Sequence, residues 1–233
     1  MRVSPGNEKG REGGKMILSR GRGYVFVHIP KTGGTALALA LEGRAMKDDI
    51  LLGDTPKALK RRHRVRGVQS RGRLWKHSTL ADIDGLVSGE DLEGLFAFTL
   101  VRNPWDRMVS YYHWLRVQQF PHIAVAKAKR MSFQDFATDR GILASMRAAP
   151  ASHYMTRADG VEHCAAYIRL EHLAQDAAPL WDHLGFRLDL GVENASDRAR
   201  DYRGYYSESS AAAVGAAMAA DVARFSYGFD SGG

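Results

Sequence analysis

The 233-residue chain is 45% hydrophobic, enough for one sizeable core, and its lone Cys164 excludes an internal disulfide. No run approaches the roughly 18–20 uninterrupted apolar residues of a helix that crosses a membrane, which excludes a helical membrane protein. The formal net charge of +7 is concentrated. Lys57, Lys60, Arg61, Arg62, Arg64, Arg66, Arg71, Arg73 and Lys76 follow one another with no acid among them, and the rest of the chain is slightly acidic.

Residues 1–23 hold six glycines among scattered Arg, Lys and Glu, a composition that predicts a mobile tail. Their three-residue apolar run Met16-Ile-Leu is far short of a signal-peptide core, so the expected compartment is the cytoplasm. Met16 stands just before the first expected strand and is an alternative start codon, which N-terminal sequencing of native protein would test. The domain proper is expected over residues 24–233.

Tyr24 to Ile29 reads as a buried strand and Thr35 to Met46 as a helix, with the tight loop Pro30-Lys-Thr-Gly-Gly between them. Residues 47–76 read as a basic loop. Long-range attraction by such a segment fits nucleic acid, an anionic polysaccharide or a phosphorylated small molecule, and a merely solvated loop fits as well. Leu95 to Val101 is a second strand, and Asn103-Pro104 supplies an N-cap and first-turn proline for a helix to about Gln119. A helix is expected from Ser132, a third strand over Ala165 to Leu170, a helix from His172 to Leu184, and an Ala-rich helix over Ser207 to Ala223. Alternating strands and helices predict a single-domain α/β fold: a P-loop-like, three-layer arrangement with a central, mostly parallel sheet and ligands at the C-terminal strand ends.

The first loop has the chemistry of an anion cradle. Gly33 and Gly34 permit positive φ and close approach, the helix start offers N–H groups, Lys31 brings a cation and Thr35 a hydroxyl. An ordinary strand-to-helix turn that needs glycine is an equal reading of the loop alone. A nucleoside-triphosphate P-loop requires Gly-x-x-x-x-Gly-Lys and then Ser or Thr, whereas here the lysine precedes the glycines. The second strand also ends in Arg102 and Asn103 rather than in a carboxylate suited to magnesium.

Taken together, His28-Ile-Pro-Lys-Thr-Gly-Gly-Thr and Val101-Arg-Asn-Pro-Trp-Asp-Arg-Met-Val-Ser-Tyr-Tyr resemble the carbohydrate-type (family 2) sulfotransferases. The resemblance extends through Ile168-Arg-Leu-Glu-His-Leu, Asn194-Ala-Ser and Asp221-Val-Ala-Arg-Phe-Ser-Tyr-Gly-Phe, covering about Tyr24 to Phe229. It implies that Lys31, Thr32, Gly33, Gly34 and Thr35 hold the 5′-phosphosulfate of 3′-phosphoadenosine 5′-phosphosulfate (PAPS), the sulfuryl donor, without a metal. It implies that Arg102 and Ser110, eight residues apart, hold the 3′-phosphate. The same resemblance puts a structural role on Glu171 and brings the 194–203 segment toward the nucleotide.

Sulfuryl transfer to a hydroxyl requires a base and a cation at the leaving phosphate. Lys31 is the natural cation. His77, in Trp75-Lys-His-Ser-Thr, resembles the histidine that many family members carry between the two motifs; an ordinary surface histidine is the competing reading. His28 is the next candidate, with a core role more in keeping with its strand. Trp105, Val109, Tyr112 and Leu115 follow helical spacing and read as core. The expected function is a PAPS-dependent sulfotransferase with a glycan acceptor. Two other classes remain: an atypical kinase using ATP and magnesium, and a nucleic-acid-binding protein using residues 57–76.

Overall fold

The sheet begins well before Tyr24. In a computed structural model that describes residues 14–190, 199 and 201–230, strand β1 (Lys15–Ser19) is buried along its whole length. It lies between β2 (Tyr24–Val27) and β3 (Ile50–Gly53), antiparallel to both. β2 then pairs in parallel with β4 (Phe96–Val101), and β4 with β5 (Ala166–Arg169). The order is β3-β1-β2-β4-β5, and only β1 runs against the others, so the five-stranded sheet is mostly parallel.

Helices flank this sheet. In chain order they are α1 (Gly34–Gly43), α2 (Pro56–Arg61), α3 (Gly89–Glu93), α4 (Pro104–Val117), α5 (Ile123–Arg130) and α6 (Phe133–Thr138). α7 (Arg140–Arg147), α8 (Ala151–Met155), α9 (Leu173–Asp176), α10 (Ala178–Leu184), α11 (Glu208–Ala217) and α12 (Ala219–Phe225) follow. No helix among the described residues is long and apolar enough to cross a membrane.

Two-residue periodicity sorts the strand side chains onto opposite faces. Ile17, Tyr24, Phe26, Leu51, Phe98, Leu100 and Ile168 pack with Leu37 and Leu41 of α1 and Leu180 of α10. Met16, Leu18, Val25, Val27, Ile50 and Leu52 pack beneath Leu80, Ile83, Val87 and Leu92. A third cluster, around Trp105, Met108, Val109, Tyr112 and Leu115 of α4, ties that helix to α5, α6 and α11. The four residues expected as core from helical spacing are all in it.

Three expectations are corrected. Residues 15–23 are not a tail, because β1 occupies an interior position and the turn at Gly23 (φ 65°) returns the chain into β2; residues 1–13 lie outside the described residues. The domain therefore starts at least nine residues before Tyr24. The strand escapes a composition reading because its ends are polar. Lys15 is 0% exposed and reaches Glu42 of α1 at 2.8 Å, and Ser19 is equally buried.

Residues 47–76 are not a loop either, since they hold β3, α2 and a 3₁₀ turn at Arg62–Val65. Several of the cations there are tied to backbone: Lys57 donates to Glu42 O, Arg61 to Met46 O and Arg71 to Ala158 O. The long helix expected over 172–184 is broken into α9 and α10 at Ala177-Ala178-Pro179, as a proline with no N–H to donate demands.

Truncation at Tyr24 should abolish the cooperative fold, because both β2 and β3 lose a paired neighbour. Circular dichroism of residues 24–233 tests this, and native-like ellipticity with a cooperative melt would contradict the interior placement of β1.

Candidate functional site

Because β2 and β4 are adjacent and parallel, the loops that leave them emerge side by side, at the sheet edge where open α/β proteins bind ligands. The first loop has left-handed backbone at Lys31 (φ 66°) and Gly33 (φ 81°), with Thr32 at negative φ between them. Gly33 is the N-cap of α1 and contributes no side-chain cap, so the first-turn N–H groups lack that partner.

The two glycines serve different ends. A Cβ on Gly33 would meet the Leu170 side chain at 2.7 Å and carry an unfavourable φ, whereas Gly34 lacks a positive φ and instead leaves room for the His28 ring, 2.6 Å from where a Cβ would stand. Thr32 is buried and its hydroxyl donates to Ile29 O at 2.9 Å, so only its backbone N–H is available to a ligand. Thr35 lies in the first turn of α1, half-buried, and Lys31 has its ammonium 5.2 Å from the Trp114 ring.

The second loop grips the first. Arg102 donates to Lys31 O at 3.4 Å, and Arg107, on the first turns of α4, donates from Nε to Pro30 O at 3.0 Å. Asp106 holds Arg102 by Nε (2.7 Å) and Nη2 (2.6 Å), which leaves N–H groups on both terminal nitrogens for a further acceptor. Arg107 is buried against Asp221 at 3.9 Å. Burial raises the Asp221 carboxyl, while the Ala151 N–H and the Arg107 and Arg224 charges oppose that rise.

Asn103 caps α4 through Trp105 N and Asp106 N, and donates to Tyr202 Oη and Gly228 O. Its own N–H goes to Glu171 at 2.6 Å, and Glu171 also accepts from Tyr227 Oη. Glu171 thus has the structural role expected of it. Ser110 is buried two turns along α4, and its hydroxyl makes no hydrogen bond among the described residues. Most of the 194–203 segment lies outside the described residues; Tyr202, at its end, packs into the α4 cluster.

His77 is delivered to this edge from outside the two motifs. Ser78 Oγ accepts from Trp75 N and donates to Arg73 O, a tight turn that sets the His77 ring 4.9 Å from His28 and 5.1 Å from Trp75. His77 Nδ1 lies 2.7 Å from His28 O. A carbonyl only accepts, so Nδ1 carries the proton and Nε2 presents a lone pair. Burial pulls this imidazole down to about 4, with Lys76, Lys31 and Arg107 adding to the effect against the His28 hydrogen bond. Burial, then His77, Lys76, Lys31 and Lys15, also hold the His28 ring well below its ordinary value. His28 is 5% exposed between Gly14 and Gly34, as its strand position implied.

The structure thus brings Lys31, Thr32, Gly33, Gly34, Thr35, Arg102 and His77 to one edge, with Ser110 farther along α4. Arg107 was not singled out in the sequence, and Lys76 was named only as the last cation of the basic segment. The available signal for Arg107 was a charge among the apolar α4 positions Trp105, Met108 and Val109. No protein-family model matches the chain, and neither a curated protein nor a solved structure shows significant similarity to it.

Two outcomes follow. Arg107→Ala leaves the Asp221 carboxylate buried without its cation and frees Pro30 O, so stability should fall by about 3–5 kcal/mol. At about 2–4 °C per kcal/mol the melting midpoint should drop by roughly 6–20 °C; an unchanged midpoint would deny Arg107 this role. His77, whose folded pKa lies below its unfolded one, stabilises the fold at neutral pH, and that contribution is lost as pH falls from 6.5 toward 4. Wild type should lose about 3 kcal/mol more than His77→Gln between pH 7 and pH 4 in urea unfolding. Parallel pH profiles would show that the ring is not held neutral.

Proposed function

We propose that the chain is a sulfotransferase that moves a sulfuryl group from PAPS to an acceptor hydroxyl, on a P-loop-like α/β frame. One observation carries this reading: the loops of two adjoining parallel strands are tied together by Arg102 on Lys31 O and Arg107 on Pro30 O, beside a histidine whose Nε2 keeps its lone pair. The residues present fit the donor. Lys31, the N–H groups from Thr32 to Thr35 and the start of α1 suit the 5′-phosphosulfate, and Arg102 with Ser110 suits the 3′-phosphate.

In the proposed mechanism His77 Nε2 accepts the acceptor's hydroxyl proton as the new S–O bond forms. Lys31 and the α1 N–H groups meet the charge that develops as the bond between sulfur and the 5′-phosphate oxygen breaks, leaving 3′,5′-diphosphoadenosine. A base held at about 4 is weak, and the cations beside it contribute to that weakness. A bound polyanion offsets those cations and raises the imidazole's affinity for a proton.

Full-length protein with 3′,5′-diphosphoadenosine at 100 times its dissociation constant should gain about 2.7 kcal/mol of stability. A gain with ATP and magnesium, and none with the bisphosphate, would reject the donor assignment. His77→Ala should keep bisphosphate affinity and lose about 10²–10⁴ in turnover. Arg102→Ala should weaken bisphosphate binding in calorimetry, through a lost charge-assisted partner. In wild type the acid limb of kcat/KM should lie near the free-protein value of about 4, with the limb of kcat at higher pH. Coincident limbs would show that the donor does not act on the base.

A further inference from the structure

The connection between α4 and α5 carries its apolar side chains on the outside. Seven large hydrophobic side chains are exposed among the described residues, and three of them crowd into this one connection: Val117 (73%), Phe120 (44%) and Ile123 (68%). Scattered singly they would need no explanation, but together they mark a contact surface. α5 extends the surface. Its Ala124, Val125 and Ala128 are buried, so Ile123, Ala126, Lys127 and Arg130, at i, i+3, i+4 and i+7, share the outward stripe.

The charge around these side chains is of one sign. No Asp or Glu occurs between Asp106 and Asp135. Of the cations in that span, Arg107 is paired with Asp221 and Lys127 with Asp139. Arg116, Lys129 and Arg130 are exposed and make no ion pair among the described residues. The patch adjoins the donor edge, because the Phe120 ring lies 5.9 Å from that of Trp114 and the Lys31 ammonium 5.2 Å from the same indole.

We propose that this connection docks the protein on an anionic lipid surface, with Val117, Phe120 and Ile123 entering the boundary between headgroups and acyl chains. Arg116, Lys129 and Arg130 then face the lipid charges. The inference rests on exposure and charge and stands apart from the sulfuryl-transfer reading. Charge also separates a bilayer from a second copy of the chain. A two-fold dimer over this face would bring duplicate sets of the same unneutralised cations into one interface. A bilayer accepts a small apolar tip at its acyl boundary and answers the cations with phosphates. Docked in this way, the protein holds the Lys31 loop beside the headgroup layer.

The test is co-sedimentation of the full chain with vesicles of phosphatidylcholine alone and of phosphatidylcholine with an equal part of phosphatidylglycerol. Three cations predict an affinity about 100-fold higher for the mixed vesicles at low salt, falling as ionic strength rises. Arg116→Gln with Lys129→Gln and Arg130→Gln should erase that preference. Phe120→Ser with Ile123→Ser should weaken binding to mixed vesicles about 10-fold, and both variants should keep the wild-type melting midpoint because the altered side chains are exposed. Absence of wild-type binding to mixed vesicles overturns the proposal. Binding that persists unchanged in the Phe120/Ile123 variant gives the lipid contact to another face, such as the basic segment 57–76, and overturns it as well. A dimer in sedimentation velocity that the Phe120/Ile123 variant dissociates, without vesicle binding, assigns the surface to a second copy and overturns it too.

Discussion

The ligand edge depends on two contacts in which guanidinium groups hold main-chain carbonyls: Arg107 on Pro30 O and Arg102 on Lys31 O. Adjacent parallel strands bring their exit loops near each other but do not fix their relative position. Once its carbonyls are held by arginines from the neighbouring loop, the first loop is locked, and it is also polarised. Its acceptors are engaged by the protein while N–H groups at the start of α1 lack a side-chain cap, which is the asymmetry an anion requires.

Arginine suits this task in a way lysine does not, because a planar fork serves two acceptors at once. Arg102 binds Asp106 through Nε and Nη2 while its other terminal nitrogen reaches Lys31 O. Arg107 faces Asp221 while its Nε holds Pro30 O. Those carboxylates anchor the arginines, yet the surroundings of His28 and His77 remain cationic, as the downward pull of Lys31 and Lys76 on both rings shows. The histidines are neutral because burial and neighbouring charge act in the same direction.

Elements that alternate cleanly were legible in the sequence. β2, α1, β4, α4 and β5 fall where apolar runs, Asn103-Pro104 and the glycines indicated, within the usual end uncertainty. β1 and β3 were not legible, for a shared physical reason. Each offers only three apolar residues, and the polar positions that complete β1 are compensated by tertiary partners: Lys15 by Glu42, from a helix some 27 residues on. The turn Arg20-Gly-Arg-Gly between two apolar runs was a hairpin signal that the surrounding glycines and charges obscured. At the site, the loop residues were legible, but the contact of His77 with His28 O across 49 residues was not, since no local pattern encodes it. Arg107 and Asp221 were hidden likewise, because a buried ion pair is a property of two distant segments.

The sequence left the first loop open between an anion cradle and an ordinary turn that needs glycine, and its glycines do not decide the matter. Packing alone accounts for Gly34, which makes room for His28, and the αL cap accounts for Gly33. Lys31 is different. It holds a left-handed φ of 66° in a side-chain-bearing residue, a conformation that costs energy unless the surroundings enforce it. The carbonyls that flank this φ, Pro30 O and Lys31 O, both accept from arginines of the neighbouring loop. A turn whose only duty was to reverse the chain would place glycine there and dispense with both contacts. The left-handed backbone of Lys31 thus stands between two carbonyls held from the neighbouring loop, a coupling of the two loops that glycine at Gly33 and Gly34 does not by itself require.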